Sequence, residues 1–424
     1  MNNKLIKKLI IICICVIVVE LIAMTIMKIS RERKIDHVDT INDIIQVDDG
    51  YITVGISDFN DSKTIEYKTY EYNGNIIANQ ARIAKLDKDY NLIWENNFDN
   101  KYDSSFYSVI KVNDGYIAVG SLVSKPEQIE ANTRDALIVK YDLLGKVIWH
   151  KTYHVLSDTE FYKVIDDGND NVVVIGQSIY ENMEMGTHTN GGGIIVRYDK
   201  NGNILATNNY GGNKSGSFND IIKVKDGYII CGKDALNYGI LVKFKKDFNR
   251  DKNDTGLITK KLLWQRTYSN TDTIGFSSMV IKDNIIYVVG AINISNEKDK
   301  DGNIMYQYDA GIVLYNTSGK YLDKYSIESE VYHRFNSVIL EDNDLLLAGL
   351  LDINGILKGN KQESMTYKFN LKDKKFTEEK LYQEDYEYII NKIVNLDKKI
   401  LVGTSKSKCN IYGCEYEPLI INYN

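Results

Sequence analysis

Residues 106–153 read FYSVIKV-NDG-YIAVG-SLVSKPEQIEANTR-DALIVKYD-LLG-KVIWHKTY. Four β-rich runs are separated by two tight turns and one long polar stretch. FYSVIKV alternates apolar and polar residues, as a half-buried strand does. The pair Asp114-Gly115 supplies the positive φ of a short hairpin. YIAVG is a second strand, ALIVKYD a third, and KVIWHKTY, after Leu143-Leu144-Gly145, a fourth. From first to last we call them A, B, C and D.

The phrase A–turn–B–glycine recurs seven times, ending at Gly55, Gly120, Gly176, Gly232, Gly290, Gly349 and Gly403. A period of about 50 residues or more marks a propeller or solenoid array. The register between units is tight. The residue ending D precedes the one opening the next A by a fixed step, as in Phe98 to Phe106, Tyr153 to Phe161 and Tyr210 to Phe218. Strand C repeats as Val139-Lys140-Tyr141-Asp142, Val196-Arg197-Tyr198-Asp199 and finally Ile421-Asn422-Tyr423-Asn424. The seventh unit therefore reaches only strand C, and an open sheet edge is a liability that ring folds remove by closure. The expected fold is all-β, a seven-bladed β-propeller over residues 31–424, with blade seven closed by a strand from 31–38.

The wording of the repeats resembles that of secreted or membrane-anchored bacterial β-propeller repeat proteins. DALIVKYDLLGKVIWHKTY and GGGIIVRYDKNGNILATNNYGG carry the likeness, and it extends over about residues 40–424. The resemblance implies a binding or display module, in a family without shared catalytic residues. The Gly-x-x-x-Trp step also resembles quinoprotein-type propellers. Trp94, Trp149 and Trp264 fill that slot, but Ala206 and Asp323 stand there in units three and five, which argues against a redox enzyme.

Residues 1–30 are of another kind. After Lys4, Lys7 and Lys8, the run Leu9–Met27 is apolar except for Glu20 and Thr25, about the length that crosses a bilayer as a helix. A signal anchor or a cleaved export signal both fit. Either places the propeller outside the cytoplasm, and the anchor would hold it at the cell membrane by a single transmembrane helix. Cys409 and Cys414, in CNIYGC, are candidates for a disulfide in an oxidising compartment, the alternative being two free thiols.

Topology directs the functional reading. The A–B and C–D turns, except the stretch Lys245 to Lys260, are short and share one face. The B–C connections 56–80, 121–134, 177–192, 291–309, 350–364 and 404–417 are long and gather on the other face with the D–A loops. Acidic residues outnumber basic ones over these connections, which disfavours nucleic acid. The five His show no metal-ligand spacing, and no nucleophile elbow or phosphate loop occurs. No cofactor is expected apart from calcium. For that ion Asp299, Asp301 and Asn303 alternate oxygen ligands beside Gly302, although a solvated loop reads the same way. A polar ring at the channel mouth is the ligand-binding candidate: Asn42, Tyr107, Tyr162, Asn219, Asn336 and Asn391, with Ser277 in unit five. Its alternative is strand-entry residues bonded to local backbone. The expected function is a monomeric, non-catalytic, membrane-tethered binding module for a protein or glycan of the cell envelope. The alternative is a propeller enzyme acting on a polysaccharide or small molecule.

Overall fold

A computed structural model describes residues 32–33, 38–57, 63–68, 73–98, 103–124, 134–155, 158–179, 181–182, 187–188, 192–210, 216–234, 236–248, 261–268, 275–298, 304–327, 332–352, 362–382, 387–406 and 416–423. Seven four-stranded antiparallel sheets are present, each with its strands in the order A, B, C, D. Blade two, for example, is Ser104–Val112, Gly115–Val123, Arg134–Tyr141 and Val147–Tyr153. The A strands of successive blades touch, the seventh against the first, and so surround an axis. This is a seven-bladed β-propeller.

The core is not one mass but seven wedges, one between each pair of blades. Phe106 and Val109 of blade two pack on Ile52, Val54 and Ile83 of blade one. The last wedge joins Val394, Ile400, Val402 and Ile420 of blade seven to Ile41, Ile44, Tyr51 and Leu86 of blade one. Ring closure thus rests on the same apolar burial as every other blade contact.

The seventh sheet is completed from the N-terminus. Glu32–Arg33 pairs antiparallel with strand C of blade seven, Glu32 opposite Ile421 and Arg33 opposite Ile420. Of the expected 31–38, Glu32–Arg33 is the described part of this outer strand, and Val38 belongs to the first strand A, Val38–Val47.

Each repeated glycine has a steric cause. In strand A, one residue after the opening aromatic or Ile is a β-bulge in all seven blades, and the phrase-ending glycine lies opposite the opener. The bulge presses a carbonyl onto the glycine Cα. A Cβ on Gly120 would lie 1.8 Å from the Ser105 oxygen, and one on Gly176 1.8 Å from that of Glu160.

The Gly-x-x-x-Trp step is likewise a contact between blades. Gly145 (φ 80°) carries the Trp94 ring of the preceding blade, Gly202 that of Trp149, and Gly319 that of Trp264. The aspartates before Gly145 and Gly202, and Asn316 before Gly319, hold the turns. Asp142 Oδ1 accepts the Leu144 and Lys146 N–H groups at 2.9 and 2.8 Å, and Asp199 does the same for Asn201 and Asn203.

Some expected loops contain further structure. The 291–309 connection is a projecting hairpin, since strands Ile285–Lys298 and Ile304–Asn316 pair out to Lys298 opposite Ile304. Ile292, Ile294, Tyr306 and Tyr308 give it the residue types that strands favour. A hairpin of Lys63–Lys68 and Asn73–Ala78 stands within 56–80, and Glu181–Asn182 pairs with Thr187–His188 within 177–192. No helix among the described residues is long and apolar enough to cross a membrane, and Leu9–Met27 lies outside those residues.

Candidate functional site

Every residue of the expected mouth ring is the bulge residue of its strand A. Asn42, Tyr107, Tyr162, Asn219, Ser277, Asn336 and Asn391 are the positions skipped in the A–B register. A bulge lifts a side chain out of the ladder and re-aims it.

The four asparagines use that freedom on the next blade. Asn42 Nδ2 donates to the Phe106 carbonyl at 2.7 Å, and Asn219 to Phe276 at 2.7 Å. Asn336 donates to Ile390 and Asn391 to Ile41, both at 3.3 Å. In each case the acceptor is the opening residue of the following blade, so these amides staple blade to blade.

Blades two and three carry tyrosine instead. The Tyr107 and Tyr162 rings meet edge-to-face with centroids 5.6 Å apart. Tyr162 Oη donates to Glu160 Oε2 at 2.7 Å, and Gln177 Nε2 donates to the same oxygen at 3.0 Å. Ser121 Oγ donates to Glu160 Oε1 at 3.2 Å. Arg134 is paired with Asp103 at 2.7 Å, while Asp158 accepts its backbone N–H. Burial, then the Glu160 charge, pushes both phenols above their ordinary range, so they remain hydroxyl donors at neutral pH. Two aromatic faces, a carboxylate and a guanidinium therefore share the long-loop side of blades two and three, where a ligand could both stack and hydrogen-bond.

One residue deeper lies a second ring that the sequence reading passed over: Asp43, Ser108, Lys163, Asp220, Ser278, Ser337 and Lys392. Taken from blade seven, the order is Lys-Asp-Ser, Lys-Asp-Ser, Ser. Its signal was a charge at one fixed position within otherwise apolar strands.

The ring satisfies the free inner edge of the A strands. Asp43 Oδ2 accepts Ser108 Oγ at 2.9 Å and the Val109 N–H at 3.2 Å in the next blade. Asp220 repeats this with Ser278 at 2.9 Å and Met279 at 3.0 Å. A lysine cannot accept such a bond. Where lysine precedes, the aspartate of the following blade caps its own chain: Ile44 N–H to Asp43 Oδ1 at 2.9 Å, and Ile221 N–H to Asp220 Oδ1 at 3.0 Å.

Lys392 also pairs directly with Asp43. Burial opposes the Asp43 charge, yet Lys392, Lys163 and Ser108 together hold its pKa below the usual value. Burial and the neighbouring Lys163 ammonium bring Lys392 down to about 8 against the pull of Asp43. Burial also works against Lys163, but Asp220 and Asp43 outweigh it and leave its pKa raised.

The calcium candidates Asp299, Asp301 and Asn303, and the cysteines Cys409 and Cys414, lie outside the described residues. Among the described residues no group of three His, Cys, Asp or Glu is placed to hold a metal ion.

No family model matches this chain, and no curated protein matches it in sequence. Solved structures do match. The polysaccharide lyase Uly1 superposes with a TM-score of 0.52 at 7% identity, covering 92% of this chain and 91% of that one. The Pan2 WD40 domain of Neurospora crassa gives 0.48 at 9% identity over 91% and 90% of the two chains. The phage phi92 endosialidase gives 0.46 at 8% identity, covering 93% of this chain and 69% of that one. At such identities the likeness is one of fold.

Proposed function

We propose that this chain is a membrane-tethered, extracytoplasmic propeller that binds a protein or glycan of the cell envelope through its long-loop face, as a monomer and without catalysis. The observation that carries this reading is the engagement of the axis by its own side chains. Asparagine staples bridge the blades at the mouth, and the Lys-Asp-Ser ring is bonded to itself beneath them. What the long-loop side offers instead is the Tyr107–Tyr162–Glu160 surface and the projecting hairpin of blade five. Loops on a rigid ring vary without disturbing the blades beneath.

Replacing residues 294–308 with an Asn-Gly turn, or Tyr107 and Tyr162 with alanine, should abolish capture of a partner from an envelope fraction while the melting curve stays cooperative. Lys225→Ala, in a turn of the opposite face, should leave capture intact. Capture that survives both long-loop changes and fails with Lys225→Ala would place the working face on the wrong side. The enzyme reading draws on Glu160, bonded to Tyr162, and on Asp103 and Asp158, both bonded to Arg134. Release of reducing sugar from envelope polysaccharide, lost in Glu160→Gln, would select it.

A further inference from the structure

A second set of bulges runs around the outside of the propeller. In strand D the position before the Trp slot is skipped in the C–D register of blades one to six. In five consecutive blades it holds a branched aliphatic: Ile93, Ile148, Leu205, Leu263 and Leu322. Each is between 40% and 51% exposed. Single apolar residues on a surface need no explanation. Five at one register position, each turned outward by a bulge on an outermost strand, form a belt. Such edges ordinarily carry charges that deter association.

The belt lies on the side of the A–B and C–D turns, because D begins where the C–D turn ends; in blade four that turn is the long 245–261 connection. Lysine precedes it closely in three blades, at Lys146, Lys320 and Lys261, the last paired with Asp247 at 2.9 Å. Three acids of the A–B turns are paired with strand C lysines, Asp49 with Lys85, Asp114 with Lys140 and Asp226 with Lys243, while Asp48 beside them is exposed.

The N-terminus leads to the same rim. Glu32 faces Ile421 as His150 faces Val139 in blade two, and Ile421 and Val139 are equivalent in the repeat. Glu32 thus stands two residues along D from the belt position, on a strand that runs away from the short-turn face. Only five residue steps separate it from Met27, the end of the apolar run. Fully extended, they reach about 18 Å. If that run is in a bilayer, the short-turn rim cannot stand far from its surface.

We propose that this belt seats the propeller on the lipid surface of the membrane that tethers it, aliphatic side chains at the acyl boundary and lysines among the headgroups. The long-loop face then points away from the bilayer. This rests on the tethered reading above.

The test uses built-in reporters, since all three tryptophans of the chain directly follow belt residues: Trp94, Trp149 and Trp264. Full-length protein is reconstituted into phosphatidylcholine–phosphatidylglycerol vesicles with brominated acyl chains. Tryptophan emission should be quenched severalfold more in the wild type than in the variant Ile93→Ser, Ile148→Ser, Leu205→Ser, Leu263→Ser, Leu322→Ser, with both proteins in the vesicle fraction. The pair Ile148→Ser, Leu263→Ser should show an intermediate loss and serves if the fivefold variant misfolds. Unquenched wild type in the vesicle fraction would overturn the belt and spare the tether. Wild type absent from that fraction would overturn the tether and the belt with it. A doubled mass in detergent, abolished by the belt substitutions, would assign the surface to a second copy and overturn the lipid reading.

Discussion

Lys392 shows how one residue of the inner ring sets a measurable property of the whole. Its ammonium is disfavoured by burial and by Lys163, so its pKa falls from 10.5 to about 8. Between those values the native state holds fewer protons at this site than the unfolded chain, so stability rises with pH across the window, and the penalty is fully present below it. Lys163 is raised instead, so its contribution is intact below its ordinary 10.5 and is lost only as pH climbs through its folded value. From pH 7.5 to 9.5 the wild type should gain stability relative to Lys392→Met, by on the order of 1–2 kcal/mol. Urea midpoints at several pH values measure this. A gap between the two proteins that does not change with pH contradicts the assignment. The position of this ring was legible, because Asp43 and Lys392 interrupt apolar strands. Its bonding was not, because each partner lies on another blade at a sequence separation that only the closed ring fixes.

At the scale of the element, the Trp slot explains where repeats diverge. Blade three has Ala206 there, and blade four replaces the usual turn glycine with the long 245–261 connection. Phe248 from that connection is fully buried in the same wedge as Ala206. It meets Tyr228 at 5.7 Å, as Trp94 meets the equivalent Tyr116 at 6.3 Å. Asn208 holds the Phe248 carbonyl at 3.0 Å. In blade five the slot is Asp323, and Lys374 of blade six lies 3.9 Å from its carboxylate. Phe248→Ala should cost about 3–5 kcal/mol, and Ala206→Trp alone about 1–3 kcal/mol through overpacking. Together they should be less damaging than their sum, because one ring then fills one space. Strict additivity in denaturant melts would separate the two sites. Sequence alone marked Ala206 and Asp323 as departures from the repeat; the compensating residues sit in the neighbouring unit, at positions the repeat does not define. The bulges were hidden for a related reason. A skipped residue shifts the two-residue alternation by one, so that Phe106 and Val109 share a wedge, but strands apolar on both faces hide the shift, and the role of the asparagines as staples was not visible.

Over the whole molecule, seven similar wedges meet one dissimilar joint. Six blades draw all their strands from one continuous stretch, whereas blade seven depends on Glu32–Arg33 for its outer strand. Removing residues 1–35 should lower the melting temperature relative to removing 1–31, since only the former deletes those pairs; two backbone pairings contribute about 1–3 kcal/mol. Equal melting temperatures would show that the wedge between blades seven and one closes the ring unaided. That joint also has a mechanical meaning. The strand completing the last blade is the first described strand after the N-terminal run, so a pull on the N-terminus loads its short ladder before the other described strands. Force applied there would peel Glu32 from Ile421 and then Arg33 from Ile420, releasing slack while the buried wedges still held. The ring would yield at its seam, stepwise and reversibly, rather than rupture as a whole.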